Sequence, residues 1–105
     1  MAHISFKNFN SNNQKNTYFV ILNNKTYTFL VRWSDYCNCA FLSIKDDNGN
    51  SIVTGKALTN GTKIRNQKLP YIMYFLQING ETYEPTLDII AEEFVLYFDE
   101  EELIA

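Results

Sequence analysis

Catalysis draws on a nucleophile with its base, a metal-ligand set or a phosphate cradle, and this 105-residue chain is sparing with all of them. Its one histidine, His3, stands near the N-terminus, far in sequence from both cysteines. Nucleophilic chemistry needs Ser or Cys beside a base that a third group orients, and His3 has no such company in sequence. Cys37 and Cys39 fall on the same face of any strand that holds them, about 6.5–7 Å apart. That is the far limit of disulfide geometry, so they read as small packing residues in a reducing compartment. With one distant histidine they are not expected to bind metal. The four glycines are isolated turn positions, so no glycine-rich loop cradles a phosphate. The acids crowd at the C-terminal end instead of standing as two carboxylates across a cleft. No catalytic residue and no cofactor are expected.

Residues that could bind a partner are easier to find. Lys63, Arg65 and Lys68 make a small basic loop, and Arg32 adjoins Trp33. A small β-barrel displaying such groups can stack single-stranded nucleic acid. Against that stand a pI near 5.0 and the placement of Trp33 on an apolar strand face, where a core role is the ordinary one. Tyr71, Tyr74 and Tyr83 could serve as carbohydrate platforms. The charge is uneven: residues 1–70 hold all nine Lys and Arg with Asp35, Asp46 and Asp47, giving +6, whereas residues 71–105 hold nine acids and no base, giving −9. Asp99, Glu100, Glu101 and Glu102 form an acidic end, read as a tail over residues 99–105. Such polarity suits either a solvated face or complementary ends that meet head to tail.

The elements that must position these groups are strands. A short strand over His3 to Phe6 leads into a polar, Asn-rich loop through Asn16, whose composition is turn chemistry. The apolar run in Thr17 to Asn23 suggests a strand covered on both faces. Asn23-Asn24 is a two-residue hairpin turn, because Asn tolerates positive φ. Lys25 to Trp33 then alternates, with Tyr27, Phe29, Val31 and Trp33 on one face. Strands are also expected over Tyr36 to Lys45, with Ala40, Leu42 and Ile44 inward, and over Ser51 to Leu58, with Gly55 at a bulge. Asp46-Asp47-Asn48-Gly49-Asn50 turns between them, and Asn60-Gly61 turns again. A polar stretch through Lys68 ends at Leu69-Pro70. Tyr71 to Ile78 and Phe94 to Phe98 complete the strands, with a turn of helix or loop opening at Pro85. The pattern predicts a single all-β domain of about seven strands, a small antiparallel β-sandwich or partly closed barrel. At this length it buries a modest core. No apolar run nears the about 20 residues that span a bilayer, and no basic-then-apolar leader is present; a soluble, unexported chain with no membrane partner is expected.

The order of motifs resembles the small baseplate plug proteins of contractile-tailed phages, of the cyanophage simple-baseplate type. Asn13-Gln14 stands before the first hairpin, and Arg32-Trp33-Ser34 closes its second strand. Ile44 through Gly61 follows the family's strand, Asp/Asn-Gly turn and apolar strand, with Gly55, Leu58 and Gly61 in place. Pro85-Thr86 and Phe94-Val95-Leu96-Tyr97 match its last segments. The chain departs at Ala40-Phe41, where a Trp is usual, and at Glu92-Glu93, where a Gly-Asp pair is usual. The resemblance implies a structural part of a phage tail or R-type bacteriocin, a virion or tail-like particle assembled in the bacterial cytoplasm. It implies tail-tube, hub and spike proteins as partners, self-association around the tail axis, and no specific nucleic acid. Arg32, Trp33, Lys63, Arg65, Lys68 and Asp99 to Glu102 are the candidate interface. The basic part of one subunit is expected to face the acidic end of another, or of the hub.

Overall fold

Tyr27, Phe29, Val31 and Trp33 all point inward from one strand, and the molecule is organised around that face. The computed structural model describes residues 2–103, and the side chains of residues 3–99. Its strands run in chain order: β1 (Ala2–Ile4), β2 (Lys15–Leu22), β3 (Lys25–Ser34), β4 (Cys39–Lys45), β5 (Ser51–Leu58), β6 (Thr62–Ile64), β7 (Tyr71–Gln77) and β8 (Phe94–Leu103), with one helical turn, α1 (Ile90–Glu93), before β8. They form two four-stranded antiparallel sheets, ordered β2-β3-β4-β5 and β1-β8-β7-β6. The barrel alternative is set aside, because neither sheet closes on itself. The fold is a sandwich.

Each strand of the first sheet pairs with the next in sequence. Leu22 pairs with Lys25 across Asn23-Asn24, which have φ of 50° and 66°. That is the mirror-image turn whose twist suits a tight hairpin. At β5 the register against β4 slips twice, once between Leu42 and Ile44 and again before Lys45. Gly55 sits in the first slip at φ +61° and donates its N–H to Ser43 Oγ at 3.0 Å. The bulge expected at Gly55 is there. The chain then crosses to the second sheet, where β1 lies outside β8, so the first strand pairs with the last.

Aromatic rings fill the space between the sheets. Phe29 meets Phe98 edge to face at 6.3 Å, and Phe75 stacks between Phe6 and Phe94 at 5.9 and 5.4 Å. Both geometries suit the ring quadrupole. Phe6 and Phe9, fully buried, come from the loop after β1 and close one side of the core. Four expected element boundaries need correcting. β4 begins at Cys39, because residues 35–38 form a turn with Asn38 at φ 52°, so Cys37 is not on the strand. β6 emerges from the stretch read as polar, a three-residue strand with only Ile64 buried. β8 runs on to Leu103 instead of ending at Phe98. β1 ends at Ile4, two residues short of Phe6.

Candidate functional site

β2 differs most from its sequence reading. Its apolar run is covered on one face only: Tyr18, Val20 and Leu22 turn toward the core, while Phe19 is 75% exposed and Ile21 72%. The cause is topology, because β2 is the outer strand of a sheet whose far face is open. The Leu22–Lys25 pairing and a 2.8 Å bond from Trp33 N–H to the Gln14 carbonyl fix which backbone groups of β2 face β3. They are those of the even-numbered residues, since hydrogen-bonded partners alternate along an antiparallel pair. The N–H and C=O groups of Lys15, Thr17, Phe19 and Ile21 therefore line the outer edge, where the Thr17 N–H is taken by Asn16 Oδ1 at 3.0 Å.

The outward face of this sheet continues through Thr26, Thr28, Leu30 and Arg32 on β3, then Phe41 and Ser43 on β4. Leu30 lies diagonal to Phe19 in the register, and Arg32 pairs with Phe41. The Arg32 guanidinium carbon rests 4.9 Å from the centre of the Phe41 ring, a cation–π contact that also shields half of that ring. Arg32 is exposed, as a contact residue must be. Trp33, beside it, is 9% exposed and belongs to the core, so its side chain is not presented at the surface.

Charge divides by sheet. The strands β2 to β5 hold Lys15, Lys25, Arg32, Lys45 and Lys56 and no acid. The strands of the other sheet hold Lys63 against Asp99, Glu100, Glu101 and Glu102. Lys63 and Arg65 come together with Lys56 around a groove of about 240 Å³ floored by Ile52, Val53 and Ile64. Lys68 stands apart, near the Asp46 turn, where its charge helps hold that carboxyl below its usual range. Asp99 is half-buried opposite Ile72. The side chains of Glu100, Glu101 and Glu102 lie outside the described residues, as do Ile104 and Ala105. Lys56, Phe19, Ile21 and Phe41 were not singled out from sequence as contact residues.

Part of the acidic half is committed to the fold. Gln77, 3% exposed, donates from Nε2 to the Tyr83 hydroxyl at 3.0 Å and accepts at Oε1 from the N–H groups of Asn79 and Glu81. The Tyr83 hydroxyl in turn donates to Glu93 Oε1. That bond, helped by partial burial and the nearby carboxylate charge, raises the Tyr83 phenol above its ordinary value. Glu84 accepts from the Asn60 N–H at 2.8 Å. Glu93, one of the departures from the family pattern, thus anchors Tyr83 from the turn before β8.

His3 faces Tyr97 across the β1–β8 pair, with ring centres 5.6 Å apart. A second groove, about 390 Å³, lies where Lys7, Phe9 and Asn10 meet Asp88, Ala91 and Glu92. Neither gathers a nucleophile with an oriented base.

Comparison with curated proteins finds no match. The family described as Cyanophage baseplate Pam3 plug gp18 matches residues 2–101, nearly the whole chain. The chain belongs to this family of phage baseplate plugs, structural components of the virion tail.

Proposed function

We propose that the chain is a plug at the distal end of a contractile tail tube, acting through contacts with the tube, hub and spike proteins and with its own copies around the tail axis. The observation that supports it most is the union of the family match with a surface polarised by sheet. The strands of one sheet are cationic and expose apolar side chains outward, and nine of the twelve acids lie on the other sheet and on the segment before β8, with Asp35, Asp46 and Asp47 in the turns of the first. Oppositely charged faces fix orientation during assembly and speed encounter more than they add affinity. In this reading the plug transfers no group and needs no cofactor.

Single-stranded nucleic acid is the second reading, and the Lys56–Lys63–Arg65 groove favours it. Besides its cations and Asn66 the groove is lined by Ile52, Val53 and Ile64, however, and offers bases no aromatic ring to stack on. Light scattering on the purified chain mixed with tube, hub and spike proteins of the same particle tests the first reading. A stable stoichiometric complex is the expected result. Indifference to all of them, with salt-sensitive retention of an oligonucleotide instead, overturns it.

A further inference from the structure

The sandwich has four strand edges, two to each sheet. Three carry devices that discourage pairing with another chain. β1 and β6 are three residues long. β5 is bulged twice and bears Lys56 near its end. β2 has no such device: eight residues in unbroken register with β3, no proline, and one charge, Lys15, at its start. Phe19 and Ile21 expose large apolar side chains on that same strand. An unguarded edge beside exposed apolar residues marks a surface that is covered when the protein works.

Charge narrows what covers it. Outward positions of the β2–β5 sheet include Lys15, Arg32 and Lys45 and no acid, so two copies joined through this same face would set cations against cations. The other sheet is the complement. It has Asp99 to Glu102 on β8, and two exposed apolar side chains, Leu76 at 37% on β7 and Ile78 at 45% in the turn just past it. We infer that the edge and outward face of β2, centred on Phe19 and Ile21, dock head to tail on the outward face of the β7–β8 sheet of a second copy. The inference rests on the plug reading and deepens it by naming the contact between copies.

The two faces belong to opposite layers of one sandwich, so the contact is heterologous. It propagates from copy to copy until rotation closes a ring. A four-stranded face of seven or eight residues per strand covers roughly 500 Å². The facing sheet is smaller, because β1 and β6 have only three residues each, so the contact buries somewhat less than about 1,000 Å², at the low end for a specific interface. Association of the isolated chain is therefore concentration-dependent and weakens with added salt.

The test uses the full chain and two double variants. Phe19→Thr with Ile21→Thr breaks the first face, and Leu76→Thr with Ile78→Thr the second. Thr already occupies outward positions 17, 26 and 28, so the β2 variant keeps strand propensity, and circular dichroism checks both folds. Sedimentation of the wild type from micromolar to millimolar concentration should show self-association, weakened about tenfold or more by either pair of changes. A mixture of the two variants should form a dimer that grows no further, because each supplies the face the other lacks. A wild type that stays monomeric overturns the inference, and so do variants that fail to pair with each other. Variants that still self-associate but lose the tube or hub overturn it too, while leaving the plug reading intact. Self-association as described, with no binding to any tail protein, defeats the plug reading instead.

Discussion

Asn60 and Glu84, 24 residues apart, are joined by a 2.8 Å bond from the Asn60 backbone N–H to Glu84 Oε1. The Asn60 side chain makes three more bonds. Nδ2 donates to the carbonyls of Glu81 and Tyr83 at 2.7 and 3.0 Å, and Oδ1 accepts from Gln77 N–H at 3.3 Å. One side chain in the turn between β5 and β6 thus pins the long excursion between β7 and α1. Asn60→Ala removes three of the four bonds at a half-buried site and leaves two carbonyls and an amide seeking partners. A loss of about 2–3 kcal/mol is expected, read from the denaturant midpoint. Asn48→Ala, at an exposed turn, should change stability by under about 0.5 kcal/mol. Amides of residues 78–93 should also exchange faster in Asn60→Ala, since the excursion loses its tether.

How much of this was legible depended on whether the deciding partner lay nearby in sequence. The face of β3 could be read directly, because period-two alternation in Tyr27, Phe29, Val31 and Trp33 leaves one solution, and all four are buried. β2 could not. Five apolar residues in a row carry no parity, and only the strand order shows that one face of β2 has no second layer. β6 was hidden because Thr62, Lys63 and Ile64 are too few to show a period. Asn60 looked like a turn residue and is one, yet its partners lie 17 to 24 residues away. The charge division was visible early because β2 to β5 are contiguous in the chain. That it separates two sheets needed the topology.

The turn between β4 and β5 supplies an acid-dependent element. Asp46 Oδ1 accepts from the N–H groups of Asn48 and Asn50 at 2.9 and 2.8 Å. The bond from Asn50 contributes most to holding this carboxyl below its ordinary 3.8, with Asn48 and the Lys68 charge adding to it. A depressed folded value means that the unfolded chain binds the proton first as pH drops. The stabilisation is present above about pH 4 and is lost as pH falls through the folded value. Asp46→Asn keeps an acceptor but cannot titrate. Its melting temperature should fall less steeply than that of wild type below pH 4, whereas Asp46→Ala should be less stable at neutral pH as well. Parallel acid profiles for wild type and Asp46→Asn would discount the role of this carboxylate.

Tyr83 gives the opposite sign at the alkaline end. Its hydroxyl donates to Glu93 and accepts from Gln77, and the bond to Glu93 is the first cause of a phenol raised above 10.0. The folded protein therefore keeps a proton that the unfolded chain releases. The stabilisation is complete below about pH 10 and disappears as pH rises through the folded value. Tyr83→Phe deletes both bonds, leaves Gln77 Nε2 without this acceptor and frees Glu93. The variant should melt lower than wild type at neutral pH, and the gap should narrow above pH 10 as wild type loses what the variant never had. Tyr18 and Tyr27, both raised chiefly by burial, still titrate in the variant, so its own decline at high pH does not vanish. The informative quantity is the difference between the two melting curves across pH 8 to 11. Ring packing against Phe94, edge-on at 6.1 Å, is common to both proteins, so a constant difference would place the contribution of the hydroxyl in the acceptor it offers Gln77 Nε2, which survives ionisation, and not in the proton it holds for Glu93.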